Sequence, residues 1–178
     1  MKNFIVNHKI IFLILFFPAF LFSQSPEQKE IIEDSKKAKA AFNQKDPAMS
    51  KIFASAEGYV IFPNVGKGAY VVGGAAGNGA VYENGNLVGM AKLRQIDVGL
   101  QVGGQAYSQV IFFKSEAALN RFKAGNFELA GNASAVVLEE GKAVSVEFRD
   151  DVAVVTMPKA GAMVEVSVGG QKFEYEAF

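Results

Sequence analysis

Three basic residues have the clearest capacity for binding chemistry. Lys67 is flanked by two glycines, and Lys92 and Arg94 stand two positions apart with no acidic residue between them and Asp97. A glycine-rich turn at Lys67 would let backbone N–H groups join the ammonium in holding an anion such as phosphate. Lys92 and Arg94 would share one side of an extended chain. The alternative is that all three are ordinary solvated charges.

Residues that commonly carry catalysis or bind metals are nearly absent. The chain of 178 residues contains no cysteine and a single histidine, His8, which lies in a segment that we expect to be removed. Without either residue type, Cys/His zinc sites, cysteine nucleophiles and Ser-His-Asp triads cannot form. We therefore expect no enzymatic activity and no cofactor. A hydrolase that needs neither residue type is the remaining enzymatic alternative.

Two other types of motif are weak evidence for a ligand-binding site. The segment Gly74–Gly79 is rich in glycine, but a predicted strand follows it instead of the helix that holds a pyrophosphate in nucleotide sites. Adjacent acids occur at Glu139-Glu140 and at Asp150-Asp151, each between predicted strands, where acidic residues favour turns. Turn formation is the expected role of these acids, and a weak calcium site is the alternative.

The N-terminal 23 residues have the pattern of a secretory signal peptide. Lys2 and Lys9 precede an apolar run of 13 residues, Ile10 to Phe22, without a charged or polar side chain. The run is shorter than the ~20 residues that span a bilayer, although an uncleaved anchor is the alternative. We expect cleavage after Ser23, which leaves Gln24 first. The protein should then be exported and soluble, in the periplasm or outside the cell.

The remaining residues, 24–178, are predicted to form one domain. They carry 16 basic and 18 acidic side chains, a net charge of −2. This balance argues against a nucleic-acid partner, which requires a basic surface. A domain of this size buries about 70% of the surface of its unfolded chain, so packing without disulfides can hold it together.

The first part of this domain is predicted to be helical. Apolar residues recur at helical spacing over residues 26–57, and Asp46-Pro47 is a helix-start signal inside this stretch. Gly58 ends it. A second, short helix is predicted over Glu116–Ala124, with Ser115 as its N-cap and Gly125 after its end.

The rest of the domain is predicted to be strands. Short β-rich runs occur at Tyr59–Phe62, Ala69–Val72, Ala80–Tyr82, Leu87–Ala91, Ile96–Val102, Gln109–Phe113, Val144–Phe148, Val164–Val168 and Phe173–Tyr175. Asn84-Gly85, Asp150-Asp151 and Gly169-Gly170 are the predicted turns. The fold class is therefore α+β and mainly β: a curved antiparallel sheet or small barrel with N-terminal helices and one inserted short helix.

Glycines and aromatic residues inside these elements are expected to be structural. The pairs Gly73-Gly74 and Gly103-Gly104 would allow close backbone contacts and sheet curvature. Four phenylalanines are expected to build the core, and an apolar ligand cavity or a membrane-contact patch is the alternative: Phe112, Phe113, Phe122 and Phe127.

The order of these features resembles the SYLF domain, also called the Ysc84 family, over roughly Ser35 to Phe178. The resemblance rests on a helix followed by a series of ordered segments: Ala56–Pro63, Gly66–Gly68, Val72–Gly79, Val98–Gln105, the strand to Phe113, the helix with Leu119 and Phe122, Gly131–Ser134, and the strands around Gly161 and Gly169.

The resemblance implies a phospholipid-binding module without known catalysis. Eukaryotic members resemble phosphoinositide binders linked to membranes and actin, and bacterial members look like exported proteins that are often lipoproteins. This chain lacks the lipoprotein cysteine. The expected partner is a phospholipid surface of the cell envelope, bound weakly through Lys67, Lys92 and Arg94. The alternative is a structural or stress-related envelope protein that acts through an unknown protein partner.

Overall fold

A computed structural model of the protein describes residues 24–68, 73–97, 105–130, 133, 135–139, 145–159 and 168–178. The predicted signal segment, the strand at Ala69–Val72, most of the strands at Ile96–Val102 and Val164–Val168, and Gly103-Gly104 lie outside these residues. The helices are α1 (Pro26–Lys45), α2 (Ala48–Ser55) and α3 (Glu116–Lys123). The strands are β1 (Gly58–Gly68), β2 (Gly73–Glu83), β3 (Asn86–Asp97), β4 (Gln105–Phe113), β5 (Phe127–Glu128), β6 (Val136–Val137), β7 (Val152–Pro158) and β8 (Lys172–Ala177).

Local capping signals explain the helix boundaries. Ser25 and Gln28 form a capping box at the start of α1. At the start of α2, the Asp46 carboxylate accepts a hydrogen bond of 2.8 Å from the backbone N–H of Ala48. Ser115 caps α3, and Gly125 follows it with φ +86°. The predicted helices are confirmed. In the described part of the chain, no helix is both long and apolar enough to cross a membrane.

The strands form one curled sheet of eight, a half-barrel, in the order β5-β8-β3-β2-β1-β4-β7-β6. All pairs are antiparallel except β6 with β7, which is parallel. The mainly β, α+β class and the curved antiparallel sheet are confirmed. The strand order is open, with β5 and β6 at its two ends.

The predicted turns adopt the backbone conformations that their residues favour. Asn84 and Gly85 both have positive φ, +48° and +79°, in the hairpin between β2 and β3. Asp150 and Asp151 have φ of +50° and +64° just before β7. Asp151 also accepts a hydrogen bond of 2.8 Å from the Ser115 hydroxyl. The conformational interpretation of this acid pair is therefore confirmed.

Both faces of the central strands are buried, because helices cover the sheet on both sides. On one face, α1 and α2 pack through Phe42 and Phe53 against Tyr59, Ile61 and Phe112. On the other face, α3 packs through a second set of buried side chains: Leu119 and Phe122, with Val60, Phe62, Ile111 and Phe113. Phe112, Phe113 and Phe122 are fully buried, and Phe127 packs against the α3 face. The prediction that these four residues build the core is confirmed.

The strands differ from the prediction in three respects. The two predicted strands at Leu87–Ala91 and Ile96–Val102 begin as one continuous strand, β3. Residues 145–148 form no strand, because Val146 and Phe148 pack on the α1/α2 face without pairing to a neighbour. Strand β7, whose residues Ala153 to Thr156 are all buried, was not predicted. A strand that is buried on both faces has no polar and apolar alternation to find.

Candidate ligand-binding surface

Strand β3 places Lys92 and Arg94 together on one exposed face. Ala91 and Leu93 alternate with them and are buried in the core on the α3 face. The prediction that the two cations share one side of the chain is confirmed. The predicted strand ended at Ala91, but β3 continues past both residues. The backbone of Lys92 and Arg94 is therefore held in place by pairing with β2 on one side and β8 on the other.

Strand β8 brings a third cation to the same face. Arg94 lies directly opposite Lys172, and Lys92 lies opposite Glu174. Lys172 is exposed, and among the described residues it makes only a long ion pair of 3.7 Å with Glu128. We define the basic face as Lys92, Arg94 and Lys172. Neither Lys92 nor Arg94 forms an ion pair with any residue that the structure describes.

Lys172 was not predicted as a member of this site. Its exposure could have been predicted, because it is two residues before Glu174 and therefore lies on the polar side of a strand whose apolar side holds Phe173. Its position beside Arg94 could not, because that depends on the pairing of β3 with β8, which are far apart in the chain.

The third predicted site residue, Lys67, is placed differently from the prediction. It lies in β1, opposite Ala75 of β2 and Gln105 of β4, and not in a turn. Its side chain is outside the described structure. Arg94 is instead aligned across the strands with Ala76 of β2 and Gly66 of β1, so Lys67 is one residue out of line with Arg94. The backbone of Lys67 is thus two strand spacings, ~10 Å, from β3.

A groove of about 550 Å³ runs beside the basic face, with acidic residues on its opposite side. Lys92 and Arg94 line it from β3, and Glu27, Glu30 and Asp34 line it from α1. A hydrogen bond of 2.9 Å from Lys37 holds the pKa of Asp34 below its usual value. The groove therefore presents mixed charge, so the acids weaken the field that an approaching anion meets.

A second cleft, of about 820 Å³, lies between the end of α3, β5 and the start of β7. Arg121 and Arg149 line it together with Glu147 and the Asp150-Asp151 turn. The Arg121 guanidinium donates a hydrogen bond of 2.9 Å to the Asp150 carbonyl, so part of its donor capacity is already used. Within the described ranges, no cluster of three or more His, Cys, Asp or Glu side chains offers a metal site.

One comparison with known proteins gives a match. Residues 94–176 match the model of the family Ysc84, described as "Las17-binding protein actin regulator". This segment begins at Arg94 and contains β4, α3 and all of the later strands except the last residue of β8. No curated protein matches the chain. The match confirms the resemblance to the Ysc84, or SYLF, family over residues 94–176, and the motifs that precede residue 94 lie outside the matched segment.

Proposed function

We propose that the protein is a non-enzymatic module that associates weakly with anionic phospholipid surfaces through the basic face. The observation that carries this proposal is the cross-strand pair of Arg94 and Lys172. Like charges directly opposite each other on a sheet destabilise it. A phosphate group between the two side chains would relieve this repulsion.

The expected affinity is low. A basic residue near an anionic membrane contributes about 1 kcal/mol, and salt screens the interaction over a distance of about 10 Å at 0.1 M ionic strength. The acids of α1 that line the groove beside Lys92 and Arg94 oppose binding further. Binding should therefore be strongest at low salt.

Co-sedimentation with liposomes tests this proposal. We expect residues 24–178 to pellet with anionic vesicles at low salt. The triple variant Lys92→Ala/Arg94→Ala/Lys172→Ala, which removes the basic face, should lose most of this pelleting with an unchanged melting curve. The variant Glu27→Gln/Glu30→Gln should bind more tightly, because it removes two of the acids that line the groove.

The matched control is Lys29→Ala/Lys36→Ala/Lys51→Ala, which removes the same charge from exposed positions of α1 and α2. It should pellet much like the wild type. Equal losses in both triple variants would show that only net charge matters. Pelleting of the Lys92/Arg94/Lys172 variant at the wild-type level would remove these residues from the site.

A protein partner is the second candidate, and the family description favours it because that description names a protein ligand. In that case the protein would act as a structural or stress-related module. Failure of the wild type to pellet with any vesicle composition would favour this candidate over the lipid proposal.

We also propose that the mature protein acts in the bacterial cell envelope after export. The support is the basic start and the 13-residue apolar run in the first 23 residues. N-terminal sequencing of the protein from its native host should find Gln24, or a residue close to it, first. Finding Met1 or Lys2 instead would contradict both export and the net charge of −2.

A further inference from the structure

The groove of about 550 Å³ beside the basic face has two walls of opposite charge. We define the acidic wall as Glu27, Glu30 and Asp34 of α1, and the basic wall as Lys92 and Arg94 of β3. Neither Glu27 nor Glu30 makes a hydrogen bond or an ion pair with any residue that the structure describes, and the same is true of the basic wall. Opposite charges therefore line one groove without meeting each other.

The sheet keeps the two walls apart. The buried Ser35 hydroxyl donates a hydrogen bond of 3.3 Å to the Ile61 carbonyl, which anchors α1 over β1. Strand β2 lies between β1 and β3, so the basic wall stands two strand spacings, ~10 Å, from the strand under α1. Ala76 and Gly77 of β2 also line the groove, and neither has a long side chain to fill it. The walls are therefore separated by open space.

The balance of charge in the groove favours a ligand that carries both signs. Lys37 already pairs with Asp34 at 2.9 Å, which leaves Glu27 and Glu30 on the acidic wall to face the two cations of the basic wall. A simple anion is attracted by one wall and repelled by the other, and a simple cation meets the reverse. A zwitterion that spans the groove is attracted at both of its ends.

We propose that the groove binds a phosphoethanolamine group, with the phosphate at the basic wall and the primary ammonium at the acidic wall. Phosphate oxygens accept charge-assisted hydrogen bonds from lysine and arginine. Lys172, directly opposite Arg94 on β8, adds a third cation at that end. A primary ammonium has three N–H donors, which match the acceptor oxygens of carboxylates. This inference rests on the proposed function, because it uses the basic face to hold the phosphate.

The residues of the groove distinguish ethanolamine from other zwitterions. The quaternary ammonium of choline has no N–H donor, and proteins recognise it with aromatic cages. Among the described residues that line this groove, none is aromatic. An α-amino acid carries both of its charges on one carbon, so it is too short to reach two walls that do not contact each other. A lipid headgroup and a soluble ester share the phosphoethanolamine chemistry.

Titration of ¹⁵N-labelled residues 24–178 with glycerophosphoethanolamine tests the site, with glycerophosphocholine as the comparison. We expect saturable shifts for amides of residues 27–34, 76–78 and 92–94, and weaker binding of the choline ester. The variant Glu27→Gln/Glu30→Gln should weaken binding of the ethanolamine ester about tenfold, because it removes the charges that face the ammonium. It should thereby abolish the preference for ethanolamine over choline.

Vesicles identify the source of the group. Greater pelleting on vesicles of phosphatidylethanolamine and phosphatidylcholine than on phosphatidylcholine alone would assign a lipid headgroup. Saturable titration without this difference would assign a soluble ester. With a lipid headgroup, Glu27→Gln/Glu30→Gln should lose the ethanolamine preference and yet bind anionic vesicles more tightly. The two responses have opposite signs because the acidic wall attracts an ammonium and repels an anionic surface.

The matched control is Glu33→Gln/Glu147→Gln, which removes two exposed acids outside this groove and should keep the ethanolamine preference. The inference would be overturned if the wild type showed no preference for ethanolamine in either assay, or if Glu27→Gln/Glu30→Gln left the preference unchanged. Pelleting on anionic vesicles in that case would leave the proposed function standing. An ethanolamine preference without any pelleting on anionic vesicles would instead overturn the anionic-lipid proposal and support the groove.

Discussion

Replacing Phe122 by alanine is expected to lower the free energy of unfolding by about 3–5 kcal/mol. Phe122 is fully buried and anchors α3 to the sheet. Its ring lies 5.1 Å from that of Phe113, 5.6 Å from Phe127, 5.9 Å from Phe173 and 6.3 Å from Tyr175, between centroids. Truncation therefore removes contacts with β4, β5 and β8 at once and leaves a cavity that these rigid rings cannot fill.

Urea denaturation of the variant and the wild type measures this loss. The control is Phe178→Ala, because Phe178 is 41% exposed at the end of the chain and should change stability by less than about 0.5 kcal/mol. Similar midpoints for the Phe122 variant and the wild type would show that α3 does not pack on the sheet as described.

Features that depend on a few neighbouring residues could be predicted from the sequence. Ser115 and Gly125 are local signals for the ends of α3, and Asn84-Gly85 is a local signal for a hairpin. These signals act through backbone conformation and capping hydrogen bonds. They therefore operate in the same way in any fold that contains these elements.

Features that depend on strand pairing could not be predicted. Glycines beside Lys67 favour a turn in isolation, but β1 pairs there with both β2 and β4, and these hydrogen bonds keep it extended. The buried Gln171 accepts a hydrogen bond of 2.8 Å from Gln109 and donates bonds to Gln95 and Tyr107 at 3.1 and 3.3 Å. No local pattern shows that these four polar side chains share one core.

The candidate site likewise has features that the sequence predicts and features that depend on strand pairing. The common side of Lys92 and Arg94 follows from the two-residue period of a strand, so the sequence predicted it. The place of Lys172 beside Arg94 depends on the pairing of two strands that are far apart in the chain, so the sequence did not predict it.

A close contact occurs at Gly74, as predicted, and a second glycine of β2, Gly79, makes a closer one. A Cβ atom at Gly74 would lie 2.9 Å from the backbone oxygen of Gln95 on β3. At Gly79 a Cβ atom would lie 2.6 Å from the Ile61 oxygen and 2.7 Å from Cδ1 of the buried Phe62 ring. Real Cβ atoms essentially never approach other atoms within 3.0 Å. β1 and β2 must therefore separate locally, or the Phe62 ring must shift, to admit a methyl group at Gly79.

We therefore expect Gly79→Ala to destabilise the protein by about 1–3 kcal/mol through overpacking. Gly66→Ala is the matched control, because Gly66 also lies in a paired strand but a Cβ atom there would meet nothing within 4 Å. The control should be close to neutral or slightly stabilising, since alanine restricts the unfolded chain more than glycine does. Thermal and urea unfolding of both variants would measure the difference. Equal stabilities would contradict the close contact between β1 and β2, whereas a loss confined to Gly79→Ala would show that this glycine is required by its neighbours and not by backbone conformation.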